Sequence, residues 1–172
     1  MKPTLAELNA CGTDRFVAIC GPLYEHSSWI ARRACAARPF ATLTALHAAL
    51  EQVVRDATPA EQTGLIAAHP DLVGRLARAG RLTAASGAEQ AAAGLTDLSV
   101  DEIRAFERYN AAYRARFGFP FVICARDNRK EAILAAFPVR LAHGLDEERT
   151  TALREIGRIA WLRLCDAVAE GA

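Results

Sequence analysis

Apolar residues recur at steps of three and four along most of this chain, a spacing that restricts it to helices packed on helices. Leu43, Leu46, Leu50 and Val53 form one stripe, and Ile103, Phe106, Asn110, Tyr113 and Phe117 form a second. Leu153, Ile156, Ala160, Leu164 and Val168 form a third. Ala and Leu dominate while β-branched residues are sparse, which favours helix over strand. Start and stop signals divide the pattern. Thr58-Pro59-Ala60-Glu61, Ser86-x-x-Glu89 and Ser99-x-x-Glu102 read as capping boxes. Gly21-Pro22, Pro39, His69-Pro70, Gly80 and Gly94 read as breaks.

These signals predict an all-α chain forming a single domain of about eight helices over residues 1–172. Helices are expected from Thr4 to Gly12, Thr13 to Cys20, Thr42 to Asp56 and Thr58 to Ala68. The segment Leu23 to Ala37 is read as closed by Pro39, and Asp71 to Ala79 as a short helix. Others start at Ser86, Ser99 and Asn128, the last of these ending near Phe137, and a final helix covers Asp146 to Val168. Between them, Phe119 to Cys124 reads as extended, because Pro120 and the clustered aromatics oppose helix.

Charge and cysteine usage narrow the function classes. The net charge is +1 with acids and bases interspersed, so no electrostatic footprint points to nucleic acid or an anionic membrane. No apolar run approaches the roughly 20 residues that span a bilayer. The N-terminus lacks an apolar signal core, and the C-terminus lacks a peroxisomal or lipidation tripeptide. The five cysteines are odd in number and not closely paired, as expected of reduced thiols in a cytoplasmic protein. The histidines at 26, 47, 69 and 143 show no metal-ligand spacing, so no metal is expected.

Three fragments mix helix breakers with polar or aromatic residues: His69-Pro70-Asp71-Leu72, Ser86 to Gln90 with Gly94-Leu95, and Tyr113 to Cys124. Fixed irregular backbone beside rigid elements is where binding and catalytic groups tend to sit. His69 has a plain structural explanation at a helix end, where an imidazole meets the last carbonyls. Its alternative is a general acid–base group, stiffened by Pro70. Glu89 reads structurally as the third residue of the Ser86 box. The alternative there is an anion-binding helix mouth, with Ser86 and Gly87 admitting a carboxylated ligand and Gln90 adding an amide. Asn110, on an apolar stripe, reads as a bridge to loop backbone. The extended strip needs partners for its main-chain groups, which a planar ureide or imidazole ring matches. Arg140 and Arg163 read as ion pairs at helix surfaces, or else as cationic partners for a substrate carboxylate or carbonyl.

Taken together and in order, these fragments resemble the OHCU decarboxylases, which act on 2-oxo-4-hydroxy-4-carboxy-5-ureidoimidazoline in urate breakdown. The resemblance runs through Leu8-Asn9, Phe16, Glu25, Trp29 and Arg38-Pro39-Phe40 to His69-Pro70-Asp71-Leu72 and Ser86 to Gln90. It continues through Asn110-x-x-Tyr113, Phe117 to Phe121, Arg140-Leu141 and Leu162-Arg163-Leu164. It implies an all-helical, homodimeric enzyme with no cofactor. It matches His69 to the catalytic proton donor and Glu89 to its acidic partner. Pro70, Ser86, Gly87, Ala88, Glu89, Gln90, Phe121, Val122, Ile123, Cys124 and Ala125 match the substrate-contacting parts, with Arg163 as a further polar contact. The chain departs from the pattern at Ser28, where many members have proline before the Trp. That change bears on a helix start rather than the site.

Two rival readings compete with the resemblance. His-Pro-Asp between helices also marks the loop of J-domain co-chaperones. Such a domain is about half this length and has a basic helix before the loop, whereas the helix here carries Glu61 and Gln62 and no Lys or Arg. A catalytically dead interaction domain of the same fold is opposed by the intact His69, Glu89 and Gln90.

Overall fold

Thr58 and Ser99 open helices as their spacing predicts. In the computed structural model each hydroxyl accepts the N–H of the residue three positions on, and Glu61 or Glu102 reaches back to the cap N–H. Thr4 and Glu7 form a further box of the same kind. The structure describes residues 2–74 and 82–169. Over these, α-helices cover Leu5–Ala10 (α1), Thr13–Cys20 (α2), Trp29–Ala34 (α3), Leu43–Arg55 (α4) and Pro59–Ala67 (α5). Ala84–Ala92 (α6), Val100–Phe117 (α7), Lys130–Leu141 (α8) and Leu145–Ala167 (α9) follow. Short 3-10 turns lie at Gly21–Leu23, Cys35–Ala37 and Ala125–Asp127. Among the described residues there is no strand, only an isolated parallel bridge between Thr4 and Ala169. The fold class is all-α, as the periodicity implies.

The contacts group the chain into two compact units, residues 1–68 with 157–172, and residues 69–156. In the first unit α2 packs on α3 and α3 on α4, around Leu8, Phe16, Ile30, Leu46 and Leu50. Each such side chain withdrawn from water contributes roughly 1.5–3 kcal/mol. Arg38 ties its neighbours together, donating to the carbonyls of Leu8 (3.2 Å), Cys11 (2.5 Å) and Cys35 (3.0 Å), and the Arg38–Pro39 peptide is cis. The first and last described segments meet here: Leu5 N–H donates to Ala169 O (3.2 Å) and Ala169 N–H to Pro3 O (2.9 Å).

In the second unit α7 packs on α8. Phe106, Asn110, Tyr113 and Phe117 of the predicted stripe are buried. Phe121 stacks on Phe137 with ring centroids 4.0 Å apart, and Tyr113 meets Phe121 edge-on at 5.3 Å. Such pairs add about 0.5–1.5 kcal/mol beyond burial. Gly118 ends α7 at φ +78°, its N–H on Arg114 O at 2.9 Å. A side chain is disfavoured in that left-handed conformation, and it turns the chain from α7 into the segment at 119–124.

Several boundaries differ from the expectation. The segment from Leu23 to Ala37 is helical only from Trp29, because Tyr24 is extended and His26 has φ +48°. α8 starts at Lys130 without a side-chain cap and runs past Pro138 to Leu141. Asn128, expected to cap it, donates instead to Cys124 O at 2.9 Å. The helix expected over Asp71–Ala79 shows no helix through Gly74, and its remainder lies outside the described residues.

Candidate functional site

α5 ends at Ala67, and the chain then breaks at Pro70 as the sequence requires. His69 is only 6% exposed. The loop that follows is clamped residue by residue. The Asp71 carboxylate accepts Arg114 Nε at 2.9 and 3.0 Å, and Asp71 O accepts Gly74 N–H at 3.2 Å. Asn110 Nδ2 donates to Leu72 O at 2.8 Å, the bridge to loop backbone that its place on the stripe predicts. Val73 N–H donates to Gln90 Oε1 at 3.2 Å. Val73 is a buried β-branched residue at φ +56°, a conformation costing about 1–3 kcal/mol that persists where surroundings over-determine it. α6 and α7 supply those surroundings.

The Ser86 box is not formed. Thr83 caps α6, its hydroxyl accepting Ser86 N–H at 3.3 Å. Ser86 is therefore the third residue of the helix and Glu89 lies a further turn in, so the capping explanation for Glu89 fails. The anion-binding mouth fails with it, since Gly87 N–H is bonded to Thr83 O at 2.9 Å. Ser86 and Gln90 are buried, and Gln90 braces the loop after His69. Gly87, Ala88 and Gln90 line a cavity of about 570 Å³ together with Val73, Leu95 and Ile103.

The strip at Phe121–Ala125 is held by side chains rather than by a neighbouring strand. Arg140 Nη1 donates to Val122 O at 2.6 Å, and its guanidinium lies 4.4 Å over the Phe121 ring. Cys124 N–H donates to Glu155 Oε2 at 2.9 Å. The 3-10 turn at Ala125–Asp127 packs against α6, and Lys130 N–H donates to Ala93 O at 3.2 Å. The strip and the Ser86–Gln90 helix are thereby neighbours. Burial, followed by the charge of Asp127, pushes the Cys124 thiol up to about 11, so it is not a thiolate at neutral pH.

Both arginines depart from the surface ion pairs expected of them. Arg140 is buried and paired with Glu148, a carboxylate with no exposure, which also accepts the Tyr113 hydroxyl and lies 2.7 Å from His143 Nδ1. Burial and the bond to Glu148 hold the Tyr113 phenol well above its ordinary range. Arg163 belongs to the other unit, where its buried guanidinium donates to Glu25 Oε2 at 3.1 Å. Sequence reasoning did not single out Glu148 or Glu155. Each sits on α9 among several other acids, where an acidic residue ordinarily faces solvent. Among the described residues no His, Cys, Asp and Glu cluster is arranged to hold a metal, and no helix is long and apolar enough to cross a membrane.

A family model described as OHCU decarboxylase matches residues 9–165. A 2-oxo-4-hydroxy-4-carboxy-5-ureidoimidazoline decarboxylase of Haloferax volcanii is 44% identical over 163 residues, covering 95% of each chain. Among solved structures, an (S)-allantoin synthase is similar with a TM-score of 0.76 at 26% identity, over 97% of this chain and 54% of that one. An OHCU decarboxylase crystallised in the presence of (S)-allantoin gives a TM-score of 0.69 over 90% of this chain and 97% of that one. Identity there is 22%, so that likeness speaks for the fold.

Proposed function

The chain belongs to the OHCU decarboxylase family, and from that premise we propose that it converts 2-oxo-4-hydroxy-4-carboxy-5-ureidoimidazoline to (S)-allantoin, with His69 and Glu89 as the acid–base pair. The observation that carries the reading is the clamp on the His69 loop. A buried imidazole is followed by Pro70, and Asp71, Leu72 and Val73 are each held by a side chain of α6 or α7. A group that must place one proton on one face of a ring needs such a fixed backbone.

The substrate supplies its own electron sink. The bond to the carboxylate carbon breaks, and its electron pair moves into the adjacent C=N, whose nitrogen takes up a proton. The resulting enol loses its hydroxyl proton while the ureido-bearing carbon gains one. The protein holds the carboxylate out of the ring plane, stabilises the developing charge and delivers the carbon-bound proton from one side. His69 and Glu89 hold the hydroxyl and manage that transfer. Pro70, the Ser86–Gln90 helix and the Phe121–Ala125 strip contact the substrate. The working form is a cytoplasmic homodimer.

The test generates the unstable substrate in place from urate with urate oxidase and hydroxyisourate hydrolase, and follows circular dichroism as the protein is added. The expected result is a rapid allantoin signal of one hand. His69→Ala should lower the rate by about 10²–10⁴-fold, the range of a positioned acid or base. Wild-type rate and full stereoselectivity in His69→Ala would remove the imidazole from the mechanism. Slow racemic decay with folded wild-type protein would remove the activity.

A further inference from the structure

We propose that Glu155 is a positioning residue of this site: its carboxylate holds Cys124 N–H and so sets the main chain of Ile123 toward the substrate. The inference rests on the decarboxylase reading above and adds a residue to it. Cys124 is extended, at φ −68° and ψ +96°. Both peptide bonds that flank Ile123 are trans, and in a trans peptide the C=O and the following N–H point to opposite sides. Val122 O is taken by Arg140 at 2.6 Å and Cys124 N–H by Glu155 at 2.9 Å. The two anchors therefore hold the two peptide planes that flank Ile123, and turn its N–H away from Arg140 and its C=O away from Glu155.

The residue between them is placed differently. The main chain of Ile123 hydrogen-bonds to no described residue, although Ile123 is at most 9% exposed. A buried N–H and C=O pair needs a partner. The ureide and ring amide of the proposed substrate carry donors and acceptors of that kind. With each flanking peptide held by one hydrogen bond, the N–H and C=O of Ile123 are left for the ligand and neither peptide plane can turn freely. Arg140 cannot serve as the probe, because removing it strips Glu148 of its buried partner. Glu155 is partly exposed, and it holds the strip through its hydrogen bond to Cys124 N–H, so that bond is the one to alter.

The experiment compares Glu155→Ala, Glu155→Gln and Glu155→Asp in the coupled assay, with amide hydrogen exchange at Cys124 measured on the same proteins. The amide oxygen of Gln still accepts the Cys124 N–H, while Asp keeps the charge but is one methylene short. Glu155→Ala and Glu155→Asp should lose about 10-fold to 100-fold in kcat/KM, the worth of a hydrogen bond to a charged group. Glu155→Gln should stay within about 3-fold of wild type, as a neutral acceptor forfeits only part of that worth. Cys124 amide exchange should accelerate in Ala and Asp and not in Gln. The Asp and Gln pair carries the comparison if Glu155→Ala does not fold. Wild-type kcat/KM in Glu155→Asp, or a loss in Gln equal to that in Asp, overturns the role. A folded wild type without activity overturns the decarboxylase reading, and the role with it. An active wild type beside an unimpaired Glu155→Asp overturns the role alone.

Discussion

Glu148 shows how one side chain can hold a site it does not enter. Its carboxylate receives Arg140, Tyr113 and His143, and Arg140 in turn fixes Val122 O. Replacing it with Gln leaves a buried guanidinium without its counter-charge. Glu148→Gln should destabilise the fold by about 3–5 kcal/mol, the cost of breaking a buried pair from one side. Urea unfolding checks this, and a loss below about 1 kcal/mol would show that water or relaxation replaces the pair. At this scale the sequence was only partly legible. Asn110 betrayed its task by sitting on an apolar stripe, since a buried amide must be satisfied. Arg140 and Arg163 did not, because local spacing carries no information on the distant carboxylate that accompanies a charge into the interior. Ser28, the point of departure from the resemblance, has φ −59° at the start of α3. That backbone is one that proline also adopts.

Two helix starts were legible from their capping boxes. Thr58 and Ser99 each precede a matching Glu, and both boxes form. Between Thr83 and Ser86 there was a choice, and spacing favoured the wrong one. Starting at Thr83 adds Ala84, Ala85 and Ser86 to the helix, and the propensity and hydrogen bonds of an Ala-rich turn outweigh the second half of a box. The consequence reaches the site, because Glu89 is thereby freed from a capping role.

The Thr58 box also makes a pH prediction. Arg33, with the Thr58 N–H and hydroxyl, lowers Glu61 from 4.5 to about 2. A carboxylate with a depressed folded pKa stabilises fully above its unfolded value and loses that contribution as pH falls toward the folded one. The melting-temperature difference between wild type and Glu61→Gln should thus be constant above pH 5. It should shrink between pH 4.5 and 2. A difference unchanged across that window would mean that the ion pair contributes nothing.

For the molecule as a whole, the all-α class followed from periodicity and composition, because a stripe at helical spacing has to be buried against another. What sequence could not supply was which residues meet across long separations, since those meetings are set by packing. The cysteines illustrate both sides. Their number and spacing excluded a disulfide framework, and all five are free. Their reactivity depends on burial, which raises Cys20 to about 12 and Cys124 to about 11. A thiol reagent at mildly alkaline pH should modify the exposed Cys165 first and reach Cys20 and Cys124 only on unfolding. Mass mapping of the labelled peptides checks the order, and early labelling of Cys124 would place the strip in contact with solvent.

The paired hydrogen bonds at Pro3, Leu5 and Ala169 join the first helix to the end of the last. Topologically this makes the described chain almost a ring. A short linker joining residue 2 directly to residue 169 would close it, and the polypeptide could then be opened anew at an exposed turn such as the one between α8 and α9. The order in which the helices are synthesised would change while every pairing described above stayed in place.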